Sequence, residues 1–387
     1  MKIVHIITRL IVGGAQENTL LSCEGQHAHG HDVTLITGPA LGPEGSLMER
    51  ARLAGYRVME VDAMRRAIGP IKDIASYRSL VKILRELKPD VVHTHSSKAG
   101  IMGRWAAHRA GVPVIIHTIH GLAFTASTHR LVNSVYRYAE RVTAPISTRI
   151  VCVADAMGEQ SLAGRVGKLG QYITIYSGME TAAFLHPPVP REQVRQSLGI
   201  APDDIIVGTI ARLFQLKGHD DLIAIAPELC QQFPRLRFMW VGDGLLRPQL
   251  MQKIREMNLE SRFILTGLVP PSRIPELVNA MDIVVHPSRR EGLARALAQG
   301  SLASRPVITY DIDGNREAMI PNRTGFLLHP FDISALRDAL ALLLRSPGKR
   351  DEMGREGQRF VLERFDAARM VDALQRLYTV CLQEAQR

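Results

Sequence analysis

The sequence predicts an α/β protein of two doubly wound, Rossmann-like domains facing across a cleft, and three observations carry that prediction. Short apolar strands alternate with amphipathic helices from the first residues, which implies parallel sheets covered by helices on both faces. The alternation pauses once, over residues 177–191 (SGMETAAFLHPPVPR), where three prolines fall close together. It then starts afresh, and 387 residues leave room for two to three such units.

The first series opens with a strand over 2–8, a turn at Gly13-Gly14, a helix over 15–27 and a strand over 32–37. Strands over 57–61, 91–93, 114–118, 150–153 and 173–176 follow, with helices over 46–54, 71–87 and 98–109 between them. The second series runs strand 205–210, helix 219–233, strand 237–241, helix 245–257 and strand 263–266, then continues through 274–280, 283–286, 294–303, 307–310 and 335–344. Two polar-rich helices close the chain near 350–364 and 367–386, the last with an apolar stripe through Val371, Leu374, Leu377 and Leu382. The predicted domains are 1–185, 191–368, and a C-terminal helix over 369–387 that packs back on the first. In sheets of this kind ligands bind at the carboxyl ends of the strands.

Composition excludes several classes. Hydrophobic residues make up 46% and charged residues 22% of the chain, which describes an ordinary globular protein. No apolar run is long enough to span a bilayer. The opening MKIVHIITRLIVGG reads as a first strand and not a signal peptide, because Arg9 interrupts it and no cleavage site follows. Cys23, Cys152, Cys230 and Cys381 are scattered, so neither a disulfide framework nor a zinc site is indicated, and a reduced, cytoplasmic setting is expected. The net charge is +10, and residues 1–190 hold 21 Lys and Arg against 14 Asp and Glu. A basic first half favours anionic partners such as membrane headgroups or phosphorylated acceptors. With 5% aromatic residues and no stacking pattern, nucleic acid is not an expected partner.

The strand exits carry the candidate chemistry. Around Gly13-Gly14 the turn is glycine-rich without the GxGxxG fingerprint; it is a tight turn or a close approach for phosphate or sugar. In ARLFQLKG, Arg212 and Lys217 stand five residues apart after a strand, placed to grip a diphosphate together, with Gly218 opening a helix. VGDG, with Gly242, is a simple turn or a wall of a nucleotide pocket. In HPSRREGLARALAQ, strand, glycine turn and helix aim backbone N–H groups at an anion, while Glu291 is either a helix cap or an acceptor for sugar hydroxyls. Among the histidine clusters, 27/29/31 reads as solvated surface, and 93/95 lacks an acidic third ligand for a metal. His120 follows a strand and precedes Gly121, on the ligand-binding edge. Asp311-Ile-Asp313 is formally a DxD motif, but its place before Gly314 favours a turn.

Taken in order, GG in the first loop, RLFQLKG, VGDG, HPSRREGLARALAQ and DGNREAMIPNRTGFLL resemble the GT-B glycosyltransferases of family 4 over essentially the whole chain. VVHTHSSKAGIMGR and VIIHTIHGL are similar to its bacterial branch that decorates lipid-linked or surface polysaccharide precursors. The resemblance implies retaining transfer of a sugar from a nucleotide diphosphate donor, a UDP-sugar foremost, to an acceptor hydroxyl, with no obligatory metal or other cofactor. Arg212 and Lys217 would meet the diphosphate, with backbone amides of Gly292, Leu293 and Ala294. Glu291, first glutamate of E-x7-E, would hold sugar hydroxyls. His120 would lie beside the reacting centre, with Gly13, Gly14 and Gly242 around the donor. The sequence departs from the family at Gln299, the second glutamate of E-x7-E, at Asp313-Gly314 where Gly-Gly is common, and at Ser177-Gly-Met-Glu180 in the linker. A catalytically inactive GT-B relative acting as a binding subunit and a sugar-nucleotide 2-epimerase are the alternative readings. The basic first half predicts a peripheral seat on the inner face of the cell membrane, through Arg65-Arg66 with the helix over 72–88 and through 129–141.

Overall fold

The computed structural model describes residues 1–42, 45–124 and 129–387. The chain divides into two compact units, Met1–Met179 with Ala367–Arg387, and Glu180–Asp366. The first change of unit falls inside the proline-bearing stretch that interrupts the alternation.

Each unit is built on one parallel sheet. In the first, β1 (Lys2–Arg9), β2 (Asp32–Gly38), β3 (Arg57–Glu60), β4 (Val91–His95), β5 (Val114–Ile119), β6 (Arg149–Cys152) and β7 (Tyr172–Thr174) lie in the order β3-β2-β1-β4-β5-β6-β7. In the second, β8 (Ile205–Ile210), β9 (Leu236–Val241), β10 (Phe263–Gly267), β11 (Ile283–His286), β12 (Val307–Tyr310) and β13 (Gly325–Leu328) lie in the order β10-β9-β8-β11-β12-β13. The order reverses between β1 and β4 and again between β8 and β11. At such a switch point the loops leaving two neighbouring strands diverge to opposite faces and leave a crevice.

The strands are apolar because helices cover both faces of the sheets; Ile3, Ile6, Ile7, Ile116, Val207, Val284 and Ile308 are fully buried. In the second unit Trp240, Phe238 and Phe263 form the aromatic centre of the core, the two phenylalanine rings stacked at 4.9 Å. In the first unit the helix Ala367–Ala385 closes one face. Met370, Val371, Leu374, Leu377, Tyr378 and Cys381 recur at helical spacing and pack on Ile3, Val91, Val114, Ile116, Val151 and Ile175. Each fully buried leucine there contributes about 1.5–3 kcal/mol. The helix Gly14–Ala28 lies close against it: a Cβ on Gly25 would come within 2.5 Å of Val371.

Some sequence expectations need correction. The helix expected over 294–303 spans Arg295–Leu302, with Ala294 at its cap. Glu291 therefore lies in the preceding loop and not on one helix with Gln299. Helices Arg130–Thr143 and Asp155–Ala163, and strand β13, were not among the expected elements.

Candidate active site

The switch point of the second sheet gathers the loops leaving β8 and β11. Gly218 adopts φ 72°, and a Cβ there would lie 1.9 Å from the carbonyl oxygen of Pro287, so only glycine lets the two loops touch. Leu216 O then accepts from the backbone N–H of Arg289 at 2.9 Å and from the Ser288 hydroxyl at 3.0 Å. Arg289 is bolted to the buried Asp221 at 2.7 Å, and Asp221 also accepts from the Tyr310 hydroxyl at 3.0 Å. The β9 exit is laced in as well. Gly242 has φ 137°, its absent Cβ would meet Ala211 O at 2.2 Å, and Leu213 N donates to Asp243 O at 3.0 Å. VGDG is thus a wall of the β8 exit loop.

Glu291 sits at the centre of this arrangement. Its carboxylate accepts from Lys217 Nζ and from His286 Nε2, the latter at 2.7 Å, and its side chain is 13% exposed. Burial works to raise its pKa, but the Lys217 and His286 contacts outweigh burial and hold it well below the usual carboxylate range. The hydrogen-bond partners of the carboxylate among the described residues are these two side chains and no N–H of the following helix. Just beyond it, the backbone N–H groups of Gly292, Leu293 and Ala294 meet no acceptor among the described residues, while Gly292 O accepts from Gly314 N at 3.0 Å. An ionised carboxylate next to three such N–H groups at a helix N-terminus can receive hydroxyls at one point and an anion at the next.

The remaining second-unit candidates are spread around this centre. Arg212 is exposed, with its guanidinium 4.8 Å from the Phe214 ring centroid. Gln299 is half-buried in the helix Arg295–Leu302, and its side chain makes no hydrogen bond among the described residues. The DxD residues serve the turn: Asp311 pairs with Arg316, and Asp313 Oδ2 accepts the Glu291 backbone N–H at 2.7 Å.

On the first unit, the loops leaving β1, β4 and β5 run side by side at the carboxyl edge of the sheet. Gly13 caps the helix Gly14–Ala28 in extended backbone (φ 174°), and a Cβ there would meet only the tip of Gln16, so the fold does not demand a glycine. His120 is half-buried at the β5 exit, with Nε2 3.1 Å from His95 Nδ1.

Two features of this edge escaped the sequence reading. Ser96, between β4 and the helix Ser97–Ala110, holds φ 62° and ψ 159°, a conformation nearly reserved for glycine, with its hydroxyl 2.8 Å from Thr8 Oγ1. His5 joins His93 and His95 in the core, bringing ring nitrogens within 4.8 Å of one another. A histidine inside an otherwise apolar strand was the available signal. The histidines at 27, 29 and 31 lie at the surface end of their helix, where His29 bonds Gln375 at 2.8 Å.

Comparison with known proteins agrees with this architecture. A family model described as Glycosyl transferase 4-like domain matches residues 13–176, and one described as Glycosyl transferases group 1 matches residues 190–360. The chain is similar to the UDP-Gal:alpha-D-GlcNAc-diphosphoundecaprenol alpha-1,3-galactosyltransferase of Escherichia coli, at 29% identity covering 98% of this chain and 96% of that one. Among solved structures it resembles Anabaena Alr3699/HepE in complex with UDP-glucose (TM-score 0.82, 20% identity, 98% and 100% of the two chains). It also resembles WaaG, a glycosyltransferase involved in lipopolysaccharide biosynthesis (TM-score 0.75, 15% identity, 97% and 99%).

Proposed function

The chain belongs to the GT-B glycosyltransferases of family 4, which move a sugar from a nucleotide-sugar, and on that premise we propose a retaining enzyme that uses a UDP-sugar and glycosylates a lipid-linked or surface polysaccharide precursor. The observation that carries the reading is the ionised Glu291 carboxylate beside the unpartnered N–H groups of residues 292–294. In this reading the diphosphate lies on those N–H groups and is neutralised by Arg212 and Lys217, with no obligatory metal. Glu291 accepts hydroxyls of the donor sugar, Gln299 meets the ribose, and Gly13, Gly14 and Gly242 leave room for the donor. His120 stands at the reacting centre. The bond from the anomeric carbon to the phosphate oxygen breaks, the acceptor oxygen bonds to the same face, and the departing phosphate takes the acceptor's proton. The protein's share is positioning and charge neutralisation. UDP is favoured because the Anabaena structure contains UDP-glucose and the Escherichia coli relative is named for UDP-Gal; that relative's name also points to a diphospholipid-linked acceptor.

A membrane-borne acceptor fits the helix Arg130–Thr143. Leu131, Val135, Tyr138 and Val142 form one exposed stripe, with Val132 beside it and Arg130 and Arg141 at its two ends. The helix is fixed from behind by the buried Arg104–Glu140 pair at 2.6 Å and by Trp105 Nε1 on Thr143 Oγ1 at 3.1 Å. No helix among the described residues is long and apolar enough to cross a membrane.

The deciding experiment measures nucleotide release from UDP-, GDP- and ADP-sugars with and without a lipid diphosphate-linked sugar acceptor, and reads the anomeric configuration of the product by NMR. Acceptor-dependent UDP release with retained configuration is expected. Inverted product, or no release from any donor, overturns the reading; the second result favours an inactive binding subunit.

A further inference from the structure

The Glu291 carboxylate is held by one oxygen. Lys217 Nζ and His286 Nε2 both reach Oε1, the histidine at 2.7 Å, and no contact among the described residues falls on Oε2. The two partners are mounted differently. Lys217 ends the short turn after β8, and its ammonium rides on a flexible four-carbon stem, 20% exposed. In the reading above it also serves the diphosphate. His286 is the last residue of β11, in register with Thr309 of β12, and its carbonyl oxygen accepts from the Thr309 hydroxyl at 2.8 Å. Its side chain is 4% exposed, so a strand end and close packing set the direction of the ring.

That ring makes a single hydrogen bond. Nδ1 is buried and meets no partner among the described residues, while Nε2 meets Glu291. Leaving a buried ring nitrogen unpartnered costs free energy that an apolar side chain would not. The rest of β11 is Ile283, Val284 and Val285, all fully buried, so an apolar residue would continue the strand. A histidine stands there instead, and its one polar contact is a carboxylate of the candidate site. The contact also fixes a proton, because an ionised carboxylate only accepts and Nε2 must therefore carry hydrogen.

We infer that His286 is the positioning residue of Glu291, locking Oε1 from the rigid end of β11 and leaving Oε2 to receive hydroxyls of the donor sugar. The inference rests on the reading of Glu291 as the sugar-binding carboxylate. It divides the work between the two partners of Oε1. Lys217 acts on the diphosphate as well as on Glu291, whereas His286 acts on the sugar alone and only through Glu291. With Lys217 drawn to the diphosphate, His286 still holds the carboxylate. Without His286 the carboxylate can turn about its last, broad torsion and present either oxygen. A hydroxyl acceptor misplaced by about 1 Å can cost up to ~100-fold in rate.

The test sets His286→Leu beside His286→Gln in the full chain. Glutamine can place an amide N–H where Nε2 stood, and leucine places none. Acceptor-dependent UDP release from UDP-glucose and UDP-galactose reads turnover, and calorimetry reads the affinity for UDP, which carries no sugar. Leucine should lower kcat ~10–100-fold with the UDP Kd within about twofold, and glutamine should recover most of the loss. Added to Glu291→Ala, His286→Leu should cost nothing further, because its effect passes through that carboxylate. A long-range 1H–15N spectrum of ring-labelled histidine, assigned through His286→Gln, should show hydrogen on Nε2 of His286 in the wild type. Full turnover in His286→Leu, an equal loss in His286→Gln, UDP affinity falling in step with turnover, or hydrogen on Nδ1 alone overturns the proposal. Should His286→Leu not fold, His286→Asn, whose amide stops short of Glu291, takes its place. A silent His286→Leu beside an inactive Glu291→Ala overturns this proposal only, whereas near-normal turnover in Glu291→Ala overturns the reading of Glu291 beneath it.

Discussion

Asp313 accepts the backbone N–H of Glu291 at 2.7 Å from a backbone held in the left-handed region, at φ 45°. The related family commonly has glycine at this position; here an aspartate bears the conformation, which a short polar side chain tolerates, and uses its carboxylate to anchor the neighbouring loop. Glu291 is therefore fixed through its main chain by Asp313 and through its side chain by Lys217 and His286. Glu291→Ala should fold and lose at least ~100-fold in turnover, a loss of about 2.7 kcal/mol of transition-state stabilisation. Steady-state kinetics on a variant of normal melting temperature checks this, and near-normal turnover would remove Glu291 from the site.

Arg212→Ala and Lys217→Ala should each weaken UDP binding by ~1.5–3 kcal/mol while leaving uridine binding nearly unchanged, as charge-assisted bonds to phosphate require. Because Lys217 also holds Glu291, its variant should lose turnover beyond what weaker binding explains. Calorimetric titration with both ligands measures the difference, and equal weakening of uridine and UDP contradicts a phosphate role.

Gln299→Ala should raise the donor KM about tenfold, from ~1–2 kcal/mol of lost ground-state binding, with turnover less affected. Gln299→Glu should stay active. An unchanged donor KM in Gln299→Ala would end the ribose assignment, since no hydrogen bond of the Gln299 side chain within the described protein gives it another task.

Binding to vesicles containing anionic lipid should fall with added salt, since the cations flanking the exposed stripe act through a screened field. Replacing Leu131 and Val135 by serine should weaken it further at any salt concentration. Sedimentation with vesicles reads both effects, and no binding at low ionic strength would sink the membrane seat.

Acid should destabilise the protein earlier than carboxylate titration would. His5 and His219 have folded-state pKa values lowered to about 4, in both cases by burial first. The unfolded chain takes up these protons at ordinary histidine values, so their share of stability is complete above pH ~6.5 and is lost as pH falls toward 4, about 3 kcal/mol for His5. Glu291 has the same sign but a lower window, because its share is complete above the ordinary carboxylate pKa and is lost as pH falls through that value and below it. Denaturant unfolding at several pH values should show stability declining from pH 6.5 downward. A flat profile between pH 7 and 5 would mean that these rings are not held neutral.

Much of the fold was legible because buried parallel strands announce themselves: β1, β4, β5, β8 and β11 are short apolar runs, and the loops that follow them carry the unusual residues. The partners of those residues were not legible. Glu291 in sequence is equally a helix cap or a sugar-hydroxyl acceptor, and its contacts with Lys217 and His286 were not visible there; Lys217 lies far upstream and reaches Glu291 only when β8 and β11 pair. His5 and His95 are likewise joined only by the pairing of β1 with β4. The helix Arg130–Thr143 was read as a candidate surface and not as an element, because its apolar stripe faces outward and builds no core. Gly218 read as the opening of a helix and Gly242 as a turn or a pocket wall, whereas the carbonyl oxygens of Pro287 and Ala211 occupy the space a side chain would need.

The helix Ala367–Ala385 follows the second unit in the chain but belongs to the first unit. On the ribosome, residues 1–179 emerge with the sheet face of Ile3, Val91, Val114, Ile116, Val151 and Ile175 uncovered, and it stays uncovered while the whole second unit is synthesised. The nascent chain therefore offers chaperones an apolar surface throughout the synthesis of the second unit. A chain stopped just short of Ala367 would carry a finished second unit and a first unit with neither its last wall nor the bond from Tyr378 to His93.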